Sequence, residues 1–148
     1  MGLSARRNLC IHKVASKFRE REKIDSCCHA LTAEWVRASK PKEELCRFYE
    51  KLDKVQDSIS IESGVFDLQD LKKIGKLEGI CPYFLARKLI STADIIVYNY
   101  QYLLDPKIAS IVSKEKSDSS IVIFDEAHNI DDACIEALTV RIRRKTLD

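Results

Sequence analysis

The chain has 148 residues, enough for one ordinary domain or two small ones, and its 45% hydrophobic and 32% charged content is that of a globular protein. No apolar run approaches the length of a membrane helix, and MGLSARR has neither the apolar core of a secretory signal nor the Ser/Thr of a myristoylation site. These features predict an intracellular protein with no membrane partner. The net charge of +2 is uninformative, but residues 1–44 hold ten Lys/Arg against six Asp/Glu, a local excess compatible with phosphate contacts or with a solvated helical face.

The first ninety residues read as short helices and loops. In EELCRFYEKLDKVQ, residues 43–56, Leu45, Phe48, Leu52 and Val55 share one helical face. Asp67 is placed to cap a helix carrying Leu68, Leu71, Ile74 and Leu77, which Gly79 ends. Next comes ICPYFLARKLI, with Pro82 at the first position of a new helix and Cys81 at its N-cap.

From about residue 93 the texture changes. ADIIVYNY and IVIF are β-branched runs of strand length, PKIASIVSKEKSD between them reads as a crossover helix, and NIDDACIEAL reads as a further helix. The predicted fold class is therefore α/β, a βα repeat on a buried parallel sheet, with a mainly helical, cysteine-bearing unit before it.

The second strand runs into Asp125, Glu126, Ala127 and His128. At the carboxyl end of a parallel strand, an Asp is placed to hold Mg²⁺ through water. The next carboxylate, Glu126, can polarise an attacking water, and His128 can hydrogen-bond across a cleft. An acidic N-cap for the next helix is the plainer reading of the same residues. The glycine-rich half of such an ATPase site is missing. The four glycines are Gly2, Gly64, Gly75 and Gly79, and no G-x-x-x-x-G-K-[ST] occurs.

Six cysteines without a secretory signal point to ligands or core thiols rather than disulfides. Cys10, Cys28, Cys46 and Cys81 are separated by 17, 17 and 34 residues, which fits neither zinc-finger pairs nor ferredoxin runs. Spacing alone leaves an iron–sulfur cluster, a zinc site completed by His12 or His29, and buried thiols all open. Cys81 at a helix N-terminus is expected to favour its thiolate. Cys134 is expected to be a small apolar core residue.

Together, LSARRNLCIH, SCCHALTAEWVRA, LCRFYEKLD, ICPYFLAR, ADIIVYNYQYLLDP and IVIFDEAHNID resemble, in order and over nearly the whole chain, the XPD helicase family of iron–sulfur superfamily 2 DNA helicases. The resemblance implies a P-loop-type motor domain with an inserted mainly helical [4Fe–4S] domain. Its expected divisions are residues 1–9 in the first motor domain, 10–90 in the cluster domain, and 91–148 in the motor domain again, ending where an arch domain would begin. The implied cluster ligands are Cys10, Cys28, Cys46 and Cys81, with Cys28 preferred to Cys27 because it directly precedes His29-Ala30-Leu31-Thr32. Asp125, Glu126 and His128 match the DEAH box, with Asp125 on magnesium.

The same resemblance puts Tyr83 and Arg87 by the path of single-stranded DNA, and Arg6 near the cluster or the DNA. An aromatic face and an Arg are suitable chemistry there. The cofactors implied are the cluster, with Mg²⁺ and ATP in the full enzyme. The family includes the helicase subunit of the transcription and repair factor TFIIH, which implies other TFIIH subunits as partners, a nuclear location, and a 5′-to-3′ helicase role in nucleotide excision repair and transcription initiation. Because the P-loop, the second motor domain and its arginine finger are missing, the expectation is an internal fragment or truncated gene model, inactive alone. The alternative expectation is a non-catalytic, metal-stabilised module that binds single-stranded DNA.

Overall fold

A computed structural model of the chain describes residues 1–55, 61–106, 108–109 and 120–139. The chain divides into two compact units, Met1–Val97 and Tyr98–Asp148.

The first unit is a set of short helices. These are α1 (Arg6–Leu9), α2 (Arg21–Thr32), α3 (Glu34–Ser39), α4 (Arg47–Lys54), α5 (Leu68–Leu77) and α6 (Pro82–Lys88), with single 3₁₀ turns at Ala15–Lys17, Lys42–Glu44 and Leu89–Ser91. Leu9, Leu52, Leu71, Ile80, Pro82 and Leu85 are fully buried and form its centre. Removing such side chains from water is the main favourable term for a unit of this size.

The predicted start of α5 is present in full. Asp67 Oδ1 accepts from Gln69 N at 2.7 Å and Asp70 N at 2.8 Å, while Asp70 Oδ2 accepts from Asp67 N at 3.3 Å, a complete capping box. Gly79 sits at φ +64 just beyond the helix, where a side chain would be strained. The expected apolar face needs one correction, because Leu77 is 84% exposed. Nine residues separate Leu77 from Leu68, which at about 100° per residue sets them on opposite sides of the helix. The inward line is instead Leu68, Leu71 and Gly75. A Cβ on Gly75 would lie 2.4 Å from Pro82 Cγ and 2.9 Å from the Ile80 carbonyl oxygen. Glycine is therefore what lets α5 meet the start of α6.

α4 is shorter than the span read from sequence, since Lys42–Glu44 forms a separate 3₁₀ turn. Leu45 and Leu52 are buried as expected. Arg37 on α3 clamps α4 from outside, donating from Nε to Glu50 Oε1 at 2.8 Å and from a terminal nitrogen to Asp53 Oδ2 at 2.5 Å.

The expected strands are not formed among the described residues. Among the described residues there is no strand, only one parallel bridge between Gly2 and Val97, held by Leu3 N to Val97 O and Val97 N to Met1 O at 2.9 Å each. A strand is defined by its neighbours, and neither apolar run has a full one here. Ile95 in the first unit, and Ile121 and Ile123 in the second, stay largely exposed.

The second unit contains α7 (Gln101–Leu104), a 3₁₀ turn at Ala127–Asn129 and α8 (Ile130–Leu138), the helix predicted after the acidic motif. Ile108 N and Ala109 N donate to Asp105 O at 3.0 and 2.8 Å, as a helix starting at Asp105-Pro106 requires. Most of the expected crossover helix falls on residues 107 and 110–119, outside the described residues. Cys134 on α8 is half-buried rather than a core thiol.

Candidate functional site

Long-range backbone bonds gather the cysteines. Cys46, the N-cap of α4, donates its N–H to Leu31 O at 3.2 Å, beside the end of α2 that carries Cys28. Cys81, the N-cap of α6, donates to Phe48 O at 3.0 Å, which ties it to the first turn of α4. Cys10 closes α1 by donating to Arg6 O at 2.7 Å. The outcome is one small cavity lined by Cys10, Cys28, Cys46 and Cys81, with His12, Thr32 and the rings of Phe48 and Phe84 in its wall. Cys27, one residue away on α2, lines a different surface depression. His29 is exposed and outside the cavity wall.

Burial dominates the thiol chemistry. Cys81 does accept the backbone N–H groups of Phe84 and Tyr83, which favour its thiolate, yet burial pushes it up to about 12. The dipole expectation for Cys81 therefore has the right sign and loses to desolvation. Burial likewise raises Cys10 against the N–H of His12, and Cys46 against those of Tyr49 and Phe48. Neighbouring thiols add to each rise, so as thiolates these groups would repel one another. Among the described residues, no three His, Cys, Asp or Glu side chains converge closely enough for a single metal ion. A tetrahedral ion with Zn–S bonds of about 2.3 Å would need its sulfurs roughly 3.8 Å apart.

His12 Nδ1 accepts from Ala15 N at 3.3 Å, and burial and the Arg47 cation lower its pKa. Thr32 Oγ1 donates to Cys28 O at 2.8 Å and lies 3.9 Å from the Cys28 sulfur.

Arg6 lies with its guanidinium 4.6 Å from the Tyr83 ring centre and 3.3 Å from Asp25 Oδ1. Burial alone would weaken this cation, but Tyr83, Cys28 and Asp25 outweigh it and raise the pKa. Its Nε is buried without a hydrogen-bond partner. Tyr83 is 4% exposed and packs edge-on to Phe84. Arg87 lies 5.9 Å from Tyr83 and 5.8 Å from Phe84. In this conformation Tyr83 is a packed ring under two cations rather than an open stacking face.

In the second unit, Asp125, Glu126 and His128 are all exposed. Glu126 has φ 49 and ψ 47, the left-handed region, where a residue with a Cβ is strained. Its carboxylate lies 3.3 Å from His128 Nδ1. Tyr100 stacks on Phe124 at 6.1 Å and donates its hydroxyl to the Asp125 carbonyl. Sequence reasoning gave no role to Tyr100 or to the Arg37 clamp, because each acts through a partner distant in sequence.

The DEAD_2 family model matches residues 1–147. The chain is 50% identical over its whole length to the XPD helicase subunit of general transcription and DNA repair factor IIH from Arabidopsis thaliana, of which it covers 20%. It is 47% identical to the corresponding Dictyostelium discoideum subunit, again over the whole chain and 19% of the relative. A regulator of telomere elongation helicase 1 homolog from Aedes aegypti is 35% identical over 95% of the chain and 13% of the relative. The chain thus spans about a fifth of the length of its XPD relatives.

Proposed function

The chain belongs to the DEAD_2 family, as an XPD-type sequence, and from that premise we propose that it supplies the cluster-bearing and DEAH-box parts of an ATP-dependent 5′-to-3′ DNA helicase. Membership implies the P-loop helicase fold. The observation that carries the proposal is the cavity shared by four cysteines distant in sequence, in a chain similar throughout to helicase subunits.

An all-sulfur donor set in an apolar wall suits a [4Fe–4S] cluster, which is larger than one ion and holds its cysteines farther apart. Cys10, Cys28, Cys46 and Cys81 would hold it. A cationic centre would offset the repulsion among four clustered thiolates, and backbone N–H groups of Phe48 and Tyr49 hydrogen-bond the Cys46 sulfur, as those of Tyr83 and Phe84 do the Cys81 sulfur. The cluster would supply a rigid brace and a one-electron centre. On this reading residues 10–90 are the cluster domain, and residues 1–9 and 91–148 belong to the first motor domain.

For the acidic turn, Asp125 would hold Mg²⁺, which would offset phosphate charge, Glu126 would polarise a water, and His128 would hydrogen-bond across to a second motor domain. The phosphate-binding G-x-x-x-x-G-K-[ST] is absent from these 148 residues, so ATP hydrolysis needs elements outside them. Arg87, 5.9 Å from the Tyr83 ring centre and 5.8 Å from that of Phe84, is the cation that would meet a phosphate of single-stranded DNA beside the cluster, with Arg6 as a neighbouring cation. The names of the relatives support a TFIIH helicase subunit acting in transcription and DNA repair, and on this reading its location is nuclear and the other TFIIH subunits are its partners.

Anaerobic purification with iron, sulfide and zinc analysis tests the central claim. A brown chain with about four irons is expected. A colourless chain with one zinc would sink it. Loaded chain should bind single-stranded DNA and lose affinity with Arg87→Ala, and it should hydrolyse no ATP by itself.

A further inference from the structure

We infer that Tyr100 is a positioning residue for the acidic turn: its hydroxyl holds the peptide between Asp125 and Glu126, and so sets the directions in which the two carboxylates leave the chain. The inference rests on the magnesium and water reading above and adds to it a residue outside the DEAH motif. Tyr100 donates its hydroxyl to the Asp125 carbonyl, and its ring stacks on Phe124 with centres 6.1 Å apart and planes at 27°. One side chain thus grips the two residues just before Glu126. Tyr100 is itself fixed, because its carbonyl accepts from Leu103 N at 3.0 Å and Leu104 N at 2.9 Å at the start of α7, which the buried Tyr102 anchors.

The Asp125 carbonyl and the Glu126 N–H belong to one planar peptide. Anchoring that carbonyl therefore fixes the plane from which φ of Glu126 is set. The following peptide is anchored as well, since Glu126 O accepts from Asn129 N at 3.0 Å. Between the two bonds Glu126 stands at φ 49 and ψ 47, a left-handed conformation that a residue with a Cβ adopts only where its surroundings impose it. The Asn129 bond is local to the turn, whereas the Tyr100 bond spans 25 residues and ties the turn to α7. Without that tie, Glu126 can relax to a right-handed or extended backbone. Its carboxylate, now 3.3 Å from His128 Nδ1, would then be re-aimed relative to Asp125. The Tyr100 bond lies at the surface, where water competes for both partners, so its loss weakens the site rather than abolishing it.

The test uses the whole ¹³C,¹⁵N-labelled chain alongside Tyr100→Phe, which loses only the hydroxyl, and Tyr100→p-aminophenylalanine, which keeps a donor at the same place. Backbone chemical shifts report φ and ψ at Glu126. Mn²⁺, a paramagnetic stand-in for Mg²⁺, reports metal affinity by broadening the Asp125 and Glu126 amides. The parent is expected to show left-handed shifts at Glu126. Tyr100→Phe should move them toward right-handed or extended values and weaken Mn²⁺ binding about 2- to 10-fold, the range of one hydrogen bond, with α7 and α8 shifts unchanged. Tyr100→p-aminophenylalanine should restore both readings. Left-handed shifts absent from the parent, or kept in full by Tyr100→Phe, would overturn the inference, and so would shifts that move while Mn²⁺ affinity does not. If Tyr100→Phe loses α7 or α8, the p-aminophenylalanine chain decides: a folded, left-handed turn there upholds the inference, and anything else overturns it. A parent whose turn is not broadened by Mn²⁺, or is broadened equally in Asp125→Asn, overturns the magnesium reading and the positioning role with it, whatever the Glu126 shifts show.

Discussion

The two units bury their side chains very differently. The described core lies almost wholly in Met1–Val97, from Leu3 and Leu9 through Leu52 and Leu71 to Leu85 and Ile90. In Tyr98–Asp148, Tyr102 is the one buried apolar side chain among the described residues, while Ile121 and Ile123 are 89% and 87% exposed. The cysteine unit therefore carries the packing that assembles its own site. The DEAH turn has its backbone shape, through Tyr100 and the left-handed Glu126, but its carboxylates stand in water. On the proposed reading the four-cysteine site is built within its own unit, whereas a nucleotide site at the acidic turn would need a further wall.

The largest expected effect breaks the comparison at the cysteines. Cys81→Ser removes a donor from a buried side of the cavity. Iron content should fall from about four to below about one per chain, with loss of visible absorbance. Amide exchange should rise across α2, α4 and α6, because on the proposed reading the cluster would couple metal binding to folding there. Exchange in α8 should not change. Cys27→Ser, on a different surface, should leave iron content intact. Equal iron in both variants would remove the basis for the four-cysteine assignment.

Packing gives the next effect. Leu71→Ala empties a fully buried position and should cost about 2–5 kcal/mol in urea unfolding. Gly75→Ala should cost about 1–3 kcal/mol, since the new methyl meets both Pro82 and the Ile80 carbonyl, which is backbone and cannot swing aside. Ile123→Ala in the second unit removes a side chain already in water and should stay within about 0.5 kcal/mol. A cost for Ile123 similar to that for Leu71 would mean that the contrast in burial does not describe the chain in solution.

Local chemistry was legible in the sequence and distant pairing was not. Asp67, Pro82 and Gly79 mark their helix boundaries because a cap, a fixed φ and a left-handed turn are properties of one or two residues. The spacing of the cysteines said nothing of their meeting. They are brought together by Cys46 N to Leu31 O and Cys81 N to Phe48 O, bonds that depend on how helices pack. The resemblance, not the spacing, singled out those four. The strand reading of residues 93–98 and 121–124 took β-branched texture as sufficient, when a ladder also needs neighbouring strands. Likewise the N-terminal position of Cys81 was readable, but the burial that overrides it came only with the fold.

The smallest effect compares the helix starts of the two units. In α5, Asp67 accepts two backbone N–H groups, whereas the N-cap of α8, Asn129, makes no side-chain cap bond. Asp67→Ala should therefore cost about 1 kcal/mol, and Asn129→Ala should fall within about 0.5 kcal/mol. Acidity separates the two further. Hydrogen bonds from Lys73 and from the Asp67 backbone hold the Asp70 carboxyl below the ordinary carboxylate range. As pH falls, the unfolded chain takes up this proton first, near pH 3.9. Asp70's contribution is thus fully present above that value and is lost as pH falls through the lower folded pKa. Asp70→Asn should flatten this acid-side fall in the stability of the first unit and leave α8 unchanged. An acid-side fall of the same steepness in the variant would show that the capping box is not its source.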